Sequence, residues 1–272
     1  MNVRSELMTY DELHARGKQG IPHTFVLEHD GASLYYFGTK HLFEYEGNQE
    51  IIEDLESFWN KFVQSMEDSQ VMFTEGSSKD SVPSKEFENQ KEAVEHSGEV
   101  GLVTMLARNA DVNVKSPEPK PKKYTKLLAE VFSKKQVVYY LVMRSLAYAH
   151  KQKRDTIRDN PDDFLQAQLD RWKAATEWKD IDWSLQMLKQ IHRGNFGGEL
   201  DPQDTQFFDV IRRPGWKTTI TNKVAHESSR IRDEVITKRI VETVKDGTNV
   251  FVVFGVSHAH IQEPALRNIL TS

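Results

Sequence analysis

Four predicted strands each lead into an ionisable residue. His41 follows Tyr35-Tyr36-Phe37, Glu75 follows Val71-Met72-Phe73, Glu118 follows Val112 to Val114, and His258 follows Val250 to Phe254. In open α/β sheets, ligands bind at the loops leaving the strands, because the strands hold those loops rigid while their side chains converge. His41 and His258 share a further pattern, each closing a Gly-x-x-His turn: Gly38-Thr39-Lys40-His41 and Gly255-Val256-Ser257-His258. A glycine there lets the backbone turn sharply or approach a ligand, and a histidine can serve as acid, base or metal ligand. His258 and His260 stand at strand-like spacing. An extended turn would aim both rings the same way and make His260 an additional candidate ligand.

Other residues carry two readings each. Glu99, after Gly98 at a predicted helix start, could satisfy helix-terminal amides or join the site. Arg230, Arg232, Asp233 and Arg239 fall on one long predicted helix, as a salt-bridged face or as an oxyanion clamp. Trp172, Trp178 and Trp183 could line a pocket, although aromatic residues at helical spacing usually form core. The chain contains no phosphate-binding loop, dinucleotide glycine fingerprint, Gly-x-Ser-x-Gly elbow or His-Glu-x-x-His motif, so nucleotide hydrolysis and serine-triad catalysis lose their usual support.

The elements that must position these residues follow from periodicity. His23 to His41 reads as a hairpin, with β-rich runs Thr24 to Glu28 and Ser33 to Phe37 around His29-Asp30-Gly31-Ala32. Ile51, Ile52, Leu55, Phe58, Trp59 and Phe62 recur at helical spacing before the strand Val71 to Phe73. Gly76 to Asn89 is polar and reads as a loop, Gly98 to Ala107 as a helix, and Asp111 to Lys115 as a short strand. The basic, proline-bearing run Lys120 to Lys126 reads as a solvated linker. Tyr124 to Arg193 is helical in pattern. Phe196 to Thr219 is irregular, Asn222 to Lys245 a long helix, Asn249 to Phe254 an apolar strand, Gly255 to His258 its exit turn, and Ile261 to Leu270 a final helix. The expected fold is α/β: a mixed central sheet that starts with an N-terminal β-hairpin and is flanked by helices. The chain is expected to form one domain over 1–272, with a helical insertion or lid over 124–219.

Composition bounds the function. The 272 residues carry a net charge of −5 and no cysteine, with 38% hydrophobic and 28% charged residues. This describes a water-soluble folded chain rather than a disordered one. The acidic balance argues against a nucleic-acid partner. The longest apolar run, Val137 to Ala149, is interrupted by Arg144 and is too short for a membrane span. Met1 to Tyr10 lacks the cationic start and apolar core of a secretory signal, and the absence of cysteine fits a cytoplasmic location.

Together these residues resemble the TraB/Tiki superfamily, which includes TraB and PrgY pheromone-shutdown proteins, Tiki proteases, haem-associated ChaN proteins and erythromycin-esterase-like proteins. The resemblance lies in Phe37-Gly38-Thr39-Lys40-His41, Val71 to Glu75, Arg232-Asp233 and Phe251 to His258. It covers about residues 23 to 118 and 222 to 270 and leaves the helical middle unexplained. It implies His41, Glu75 and His258 as site residues, supported by Glu99, Glu118 and Arg232. The implied activity is hydrolysis of an amide, ester or related bond in a small molecule or peptide. In one route, a divalent metal on His41, Glu75 and His258, with His260 as a further candidate, activates water. In the other, Glu75 and a histidine activate water directly while Arg232 steadies the developing anion. The rival expectations are a protein that binds haem or a metal through the same histidines, and a non-catalytic interaction module.

Overall fold

The computed structural model describes residues 3–17, 19–42, 44–64, 69–76, 85–151, 157, 159–216 and 218–272. They divide into two compact units. The first holds Met1–Pro119 and Arg232–Ser272, the second Lys120–Ile231. No helix among the described residues is long and apolar enough to cross a membrane.

The first unit begins with two short helices, α1 (Val3–Glu6) and α2 (Tyr10–Ala15), the latter closed by a Thr9/Glu12 capping box. Strands β1 (His23–His29) and β2 (Ala32–Thr39) form the expected hairpin. A single 3-10 turn leads into α3 (Gln49–Gln64), then come β3 (Gln70–Thr74), α4 (Gln90–Asn109) and β4 (Asn113–Lys115). The loop expected at Gly76 to Asn89 falls largely on 77–84, outside the described residues.

In the second unit, α5 (Pro121–Ala129) occupies the basic run expected to be a linker. Pro121 takes the first helical turn, where its missing N–H costs nothing and its fixed φ suits the helix, so its presence marks a start rather than a break. Helices α6 (Lys134–Lys151), α7 (Pro161–Thr176) and α8 (Leu185–Phe196) follow. The stretch expected to be irregular contains a further helix, α9 (Thr205–Ile211), capped by the Asp204 side chain. The unit has apolar clusters of its own, one centred on Val138, Leu146, Leu165 and Leu188, the other on Tyr124, Leu128, Tyr140 and Val224.

The long helix α10 (Ile220–Lys245) begins in the second unit and ends in the first, where β5 (Asn249–Gly255) and α11 (Val256–Leu270) complete the chain. The sheet is mixed, in the order β1-β2-β5-β3-β4, with only β1 antiparallel to its neighbour. β5 is apolar from Val250 to Phe254 because it is central and covered on both faces. Alternate side chains serve opposite layers. Leu34, Tyr36, Val250, Val252, Val71 and Phe73 pack with α10 and α11, whereas Phe37, Phe251, Val253 and Met72 pack with α3 and α4.

This layering fixes where a ligand would sit. β2 and β5 are neighbours, yet the chain leaves β2 for a helix on one face and leaves β5 for a helix on the other. Two adjacent parallel strands whose exits diverge in this way open a crevice at their carboxyl ends. Thr39 and Gly255, the last paired residues of the two strands, lie at its floor.

Candidate functional site

His41 lies two residues past the end of β2, and Glu99 comes to it from α4. The His41 Nδ1–H donates to Glu99 Oε1 at 2.6 Å, and the Leu42 amide donates to Glu99 Oε2 at 2.9 Å. Glu99 is 5% exposed, while the His41 side chain is 45% exposed. The sequence makes this meeting feasible through Gly98, which breaks α4 with φ of 61°. A Cβ at Gly98 would stand 2.5 Å from the Leu42 carbonyl oxygen, so only glycine lets α4 come this close. Glu99 therefore anchors His41 and its loop rather than helix-terminal amides alone. The hydrogen bond to Glu99, opposed by burial and aided by the charge of Glu75, raises the His41 pKa from 6.5 to about 9.

His258 has an equivalent partner. Its Nδ1–H donates to Asp233 Oδ1 at 2.6 Å, and Gln262 Nε2 donates to the same oxygen at 2.7 Å. Asp233 is fully buried, and the Tyr36 hydroxyl donates to Gln262 Oε1 at 3.0 Å. Burial, then the charges of Asp233 and Glu75, push the Tyr36 phenol upward, so it remains a donor. Each histidine thus has one nitrogen fixed by a buried carboxylate, which sets the tautomer and aims the other nitrogen away from it.

Glu75, Glu118 and Arg232 form the third part. Arg232 Nη2 donates to Glu75 Oε1 at 2.7 Å and to Glu118 Oε1 at 2.5 Å, with side chains 8%, 21% and 7% exposed respectively. Arg239 Nη1 donates to the Glu118 backbone oxygen at 3.1 Å and steadies that loop. Burial opposes ionisation of Glu75, but Arg232 and then the His41 charge outweigh it, so its carboxyl stays well below the usual carboxylate range. Glu75 Oε2, Asp233 Oδ2 and the hydroxyls of Thr39, Thr74 and Thr237 are buried without a hydrogen-bond partner in the protein. Buried polar atoms are nearly always satisfied, so these mark where water or a polar ligand group belongs.

Of the residues expected from sequence, His41, Glu75, Glu99, Glu118, Arg232 and His258 all lie in the first unit. Ion pairs or hydrogen bonds link them in three groups, and His41 and His258 both lie near enough to Glu75 to act on it electrostatically. His260 goes elsewhere. The segment 256–258 is the first turn of α11 rather than an extended exit, so two residues span about 200° of rotation and the two rings part. His260 instead stacks near His23, with ring centroids 4.0 Å apart. Gln262 and Tyr36 carry no site expectation from sequence, and Asp233 is expected only as part of a salt-bridged helix face or an oxyanion clamp, not as the partner of His258. A buried charge in the middle of a long helix was the available signal for Asp233, since Asp233 and Thr237 share a helix face with buried Ile236 and Ile240.

The two glycines of the repeated turn do different work. At Gly38 an added Cβ would lie 2.5 Å from Ala259 Cβ, so the close approach is to α11 and not to a ligand. At Gly255, φ of −56° and ψ of 140° suit any residue, and the nearest neighbour of a Cβ is His258 Cδ2 at 3.7 Å. Comparisons of the chain with protein-family models, curated proteins and solved structures find no match in any of the three.

Proposed function

We propose that the protein is a hydrolase that cleaves an amide, ester or related bond of a small molecule or peptide by acid–base catalysis, as the resemblance to TraB/Tiki proteins implies. The observation that carries this reading is the pair of histidine–carboxylate dyads, His41–Glu99 and His258–Asp233, at the diverging exits of adjacent parallel strands. Their environments differ, and titratable pairs in different environments divide acid and base roles.

His258 is the general base. With Nδ1–H held by Asp233, its Nε2 takes a proton from water as that water attacks the substrate carbonyl carbon. His41, kept as an imidazolium by Glu99, gives a proton to the leaving oxygen or nitrogen as the bond to carbon breaks. Glu75 presents its unpartnered oxygen as an acceptor for the attacking water. Arg232 is a positioning residue, because its guanidinium is committed to Glu75 and Glu118 and holds the Glu75 carboxylate ionised.

The donor chemistry favours this route over a metal. One ligand atom each from His41, Glu75 and Glu99 fall within 4.8 Å of one another. Both Glu99 oxygens, however, already accept hydrogen bonds from His41 and Leu42, which leaves His41 and the unpartnered Oε2 of Glu75 from that trio. Two donors then remain where a catalytic centre commonly uses three.

The test is hydrolysis of chromogenic ester and peptide-amide substrates by EDTA-treated protein. His41→Ala and His258→Ala are each expected to lower the rate by about 100- to 10,000-fold, the usual scale for losing an acid or base, measured at a temperature where circular dichroism shows each variant folded, since each leaves a buried carboxylate without its histidine. Full activity in the double variant would contradict the assignment. Activity that disappears with EDTA and returns with a divalent ion would favour the metal route, and a Soret band on purification the haem-binding alternative.

A further inference from the structure

A second group of ligand-type side chains lies outside the proposed reaction. β1 runs antiparallel to β2, so His23, its first residue, pairs with Gly38 at the same end of the sheet as the dyads. His260 and Glu263 stand three apart on α11 and therefore share a helix face. Ligand atoms of His23, His260 and Glu263, one from each, lie within 4.8 Å of one another. His23 Nε2 and Glu263 Oε2 are 2.7 Å apart, and the His23 and His260 rings stack at 4.0 Å.

The decisive feature is His260. It is 7% exposed, and its buried Nε2 has no hydrogen-bond partner, a condition that is unfavourable unless something binds there. Glu263 is already oriented, because Arg267 Nε donates to its Oε1 at 2.8 Å and leaves Oε2 facing His23. Metal-ligating carboxylates are commonly held in this way by an outer partner. Unlike the trio at His41, all three side chains can each offer a donor atom once the His23–Glu263 bond is exchanged.

We propose that His23, His260 and Glu263 bind a divalent transition cation, Zn2+ foremost, as three ligands with a fourth position open to solvent. Imidazole nitrogen with carboxylate oxygen is a donor set that Zn2+ accepts, and it leaves one position open. Solvent reaches the group past His23 and Glu263, whose side chains are 26% and 19% exposed. Binding replaces the His23–Glu263 hydrogen bond. The His23 proton moves from Nε2 to Nδ1 or is released to solvent, since a ligating nitrogen must be bare. At bond lengths near 2 Å, tetrahedral ligand atoms sit roughly 3.3 Å apart, so small ring rotations complete the geometry. Arg16 and Arg267 are the cations near the group, and they act against the ion. The ion would tie β1 to α11 beside the Gly38–Ala259 crossing, bracing the helical turn that carries His258. The site does not depend on the hydrolase reading.

Calorimetric titration of untagged, EDTA-stripped full-length protein with Zn2+ tests the proposal, together with the melting temperature and the visible spectrum of the Co2+ form. The expected result is one ion per chain and a raised melting temperature. His23→Gln and His260→Gln should each weaken binding by more than about 100-fold, beyond the scale of outer-partner changes, while His41→Gln and Glu75→Gln leave it unchanged. His23→Gln alters a partly exposed ring, so it remains informative if His260→Gln fails to fold. No stoichiometric binding, binding retained in His23→Gln, or binding lost in His41→Gln would overturn the proposal.

Discussion

At the scale of single residues, the site depends on carboxylates placed behind histidines. Glu99 raises the pKa of His41 from 6.5 to about 9. A folded-state pKa above the unfolded value stabilises the fold fully below the unfolded pKa, and that contribution is lost as pH rises through the folded one. The His41–Glu99 contribution should therefore be complete below about pH 6.5 and disappear between there and about pH 9. Urea unfolding at several pH values checks this. Wild-type stability is expected to decline across that window more than that of Glu99→Gln, and equal slopes would show that the pair carries no linkage. The histidines themselves were legible because each follows an apolar run and a glycine. Their partners were less so, since Asp233 lies 25 residues from His258 and Glu99 lies 58 from His41, and nothing local in sequence encodes such pairs.

At the scale of elements, hydrophobic periodicity identified the hairpin, the alternation of strand and helix, and the apolar central strand β5. It missed what depends on single capping or breaking residues: Pro121 starting α5, Asp204 capping α9, and the first turn of α11 beginning directly at the end of β5. Glycine also deceived in one place. Gly38 and Gly255 look alike in sequence, but the backbone needs glycine at Gly98, which stands outside the repeated turn. Gly98→Ala should cost at least about 1–3 kcal/mol, because it forces a side chain into positive φ against the Leu42 carbonyl, and it should release His41 from Glu99. Gly255→Ala should be neutral or stabilising by up to about 1 kcal/mol. Thermal unfolding of the two variants separates these expectations, and equal losses would refute the distinction.

At the scale of the whole molecule, each unit has its own apolar clusters, and the proposed chemistry lies in the sheet unit alone. Arg232 Nη2 reaches Glu118 at 2.5 Å and Arg239 Nη1 reaches the Glu118 carbonyl at 3.1 Å, so the chain leaves and re-enters that unit at neighbouring points. Replacing 120–231 by a short glycine–serine linker should therefore leave a folded sheet unit that unfolds cooperatively. A chain without a cooperative transition would show that the helical unit is needed for folding. The acidic composition and polar helix faces were readable in sequence, but the helical unit is wider than the expected 124–219. The first half of α10 belongs to it, and no break in the helical pattern marks the crossing at Arg232.

The proposed chemistry needs two histidines at one sheet end in different roles, His41 as acid behind Glu99 and His258 as base behind Asp233. Nitrogen-15 NMR of the imidazole rings in metal-free protein, followed across pH 5 to 10, tests it most directly. His41 is expected to show both ring nitrogens protonated at pH 7 and to titrate near 9, while the neutral form of His258 carries its proton on Nδ1, facing Asp233. A His41 that titrates near its ordinary value of about 6.5, or a His258 protonated on Nε2 alone, would contradict the account.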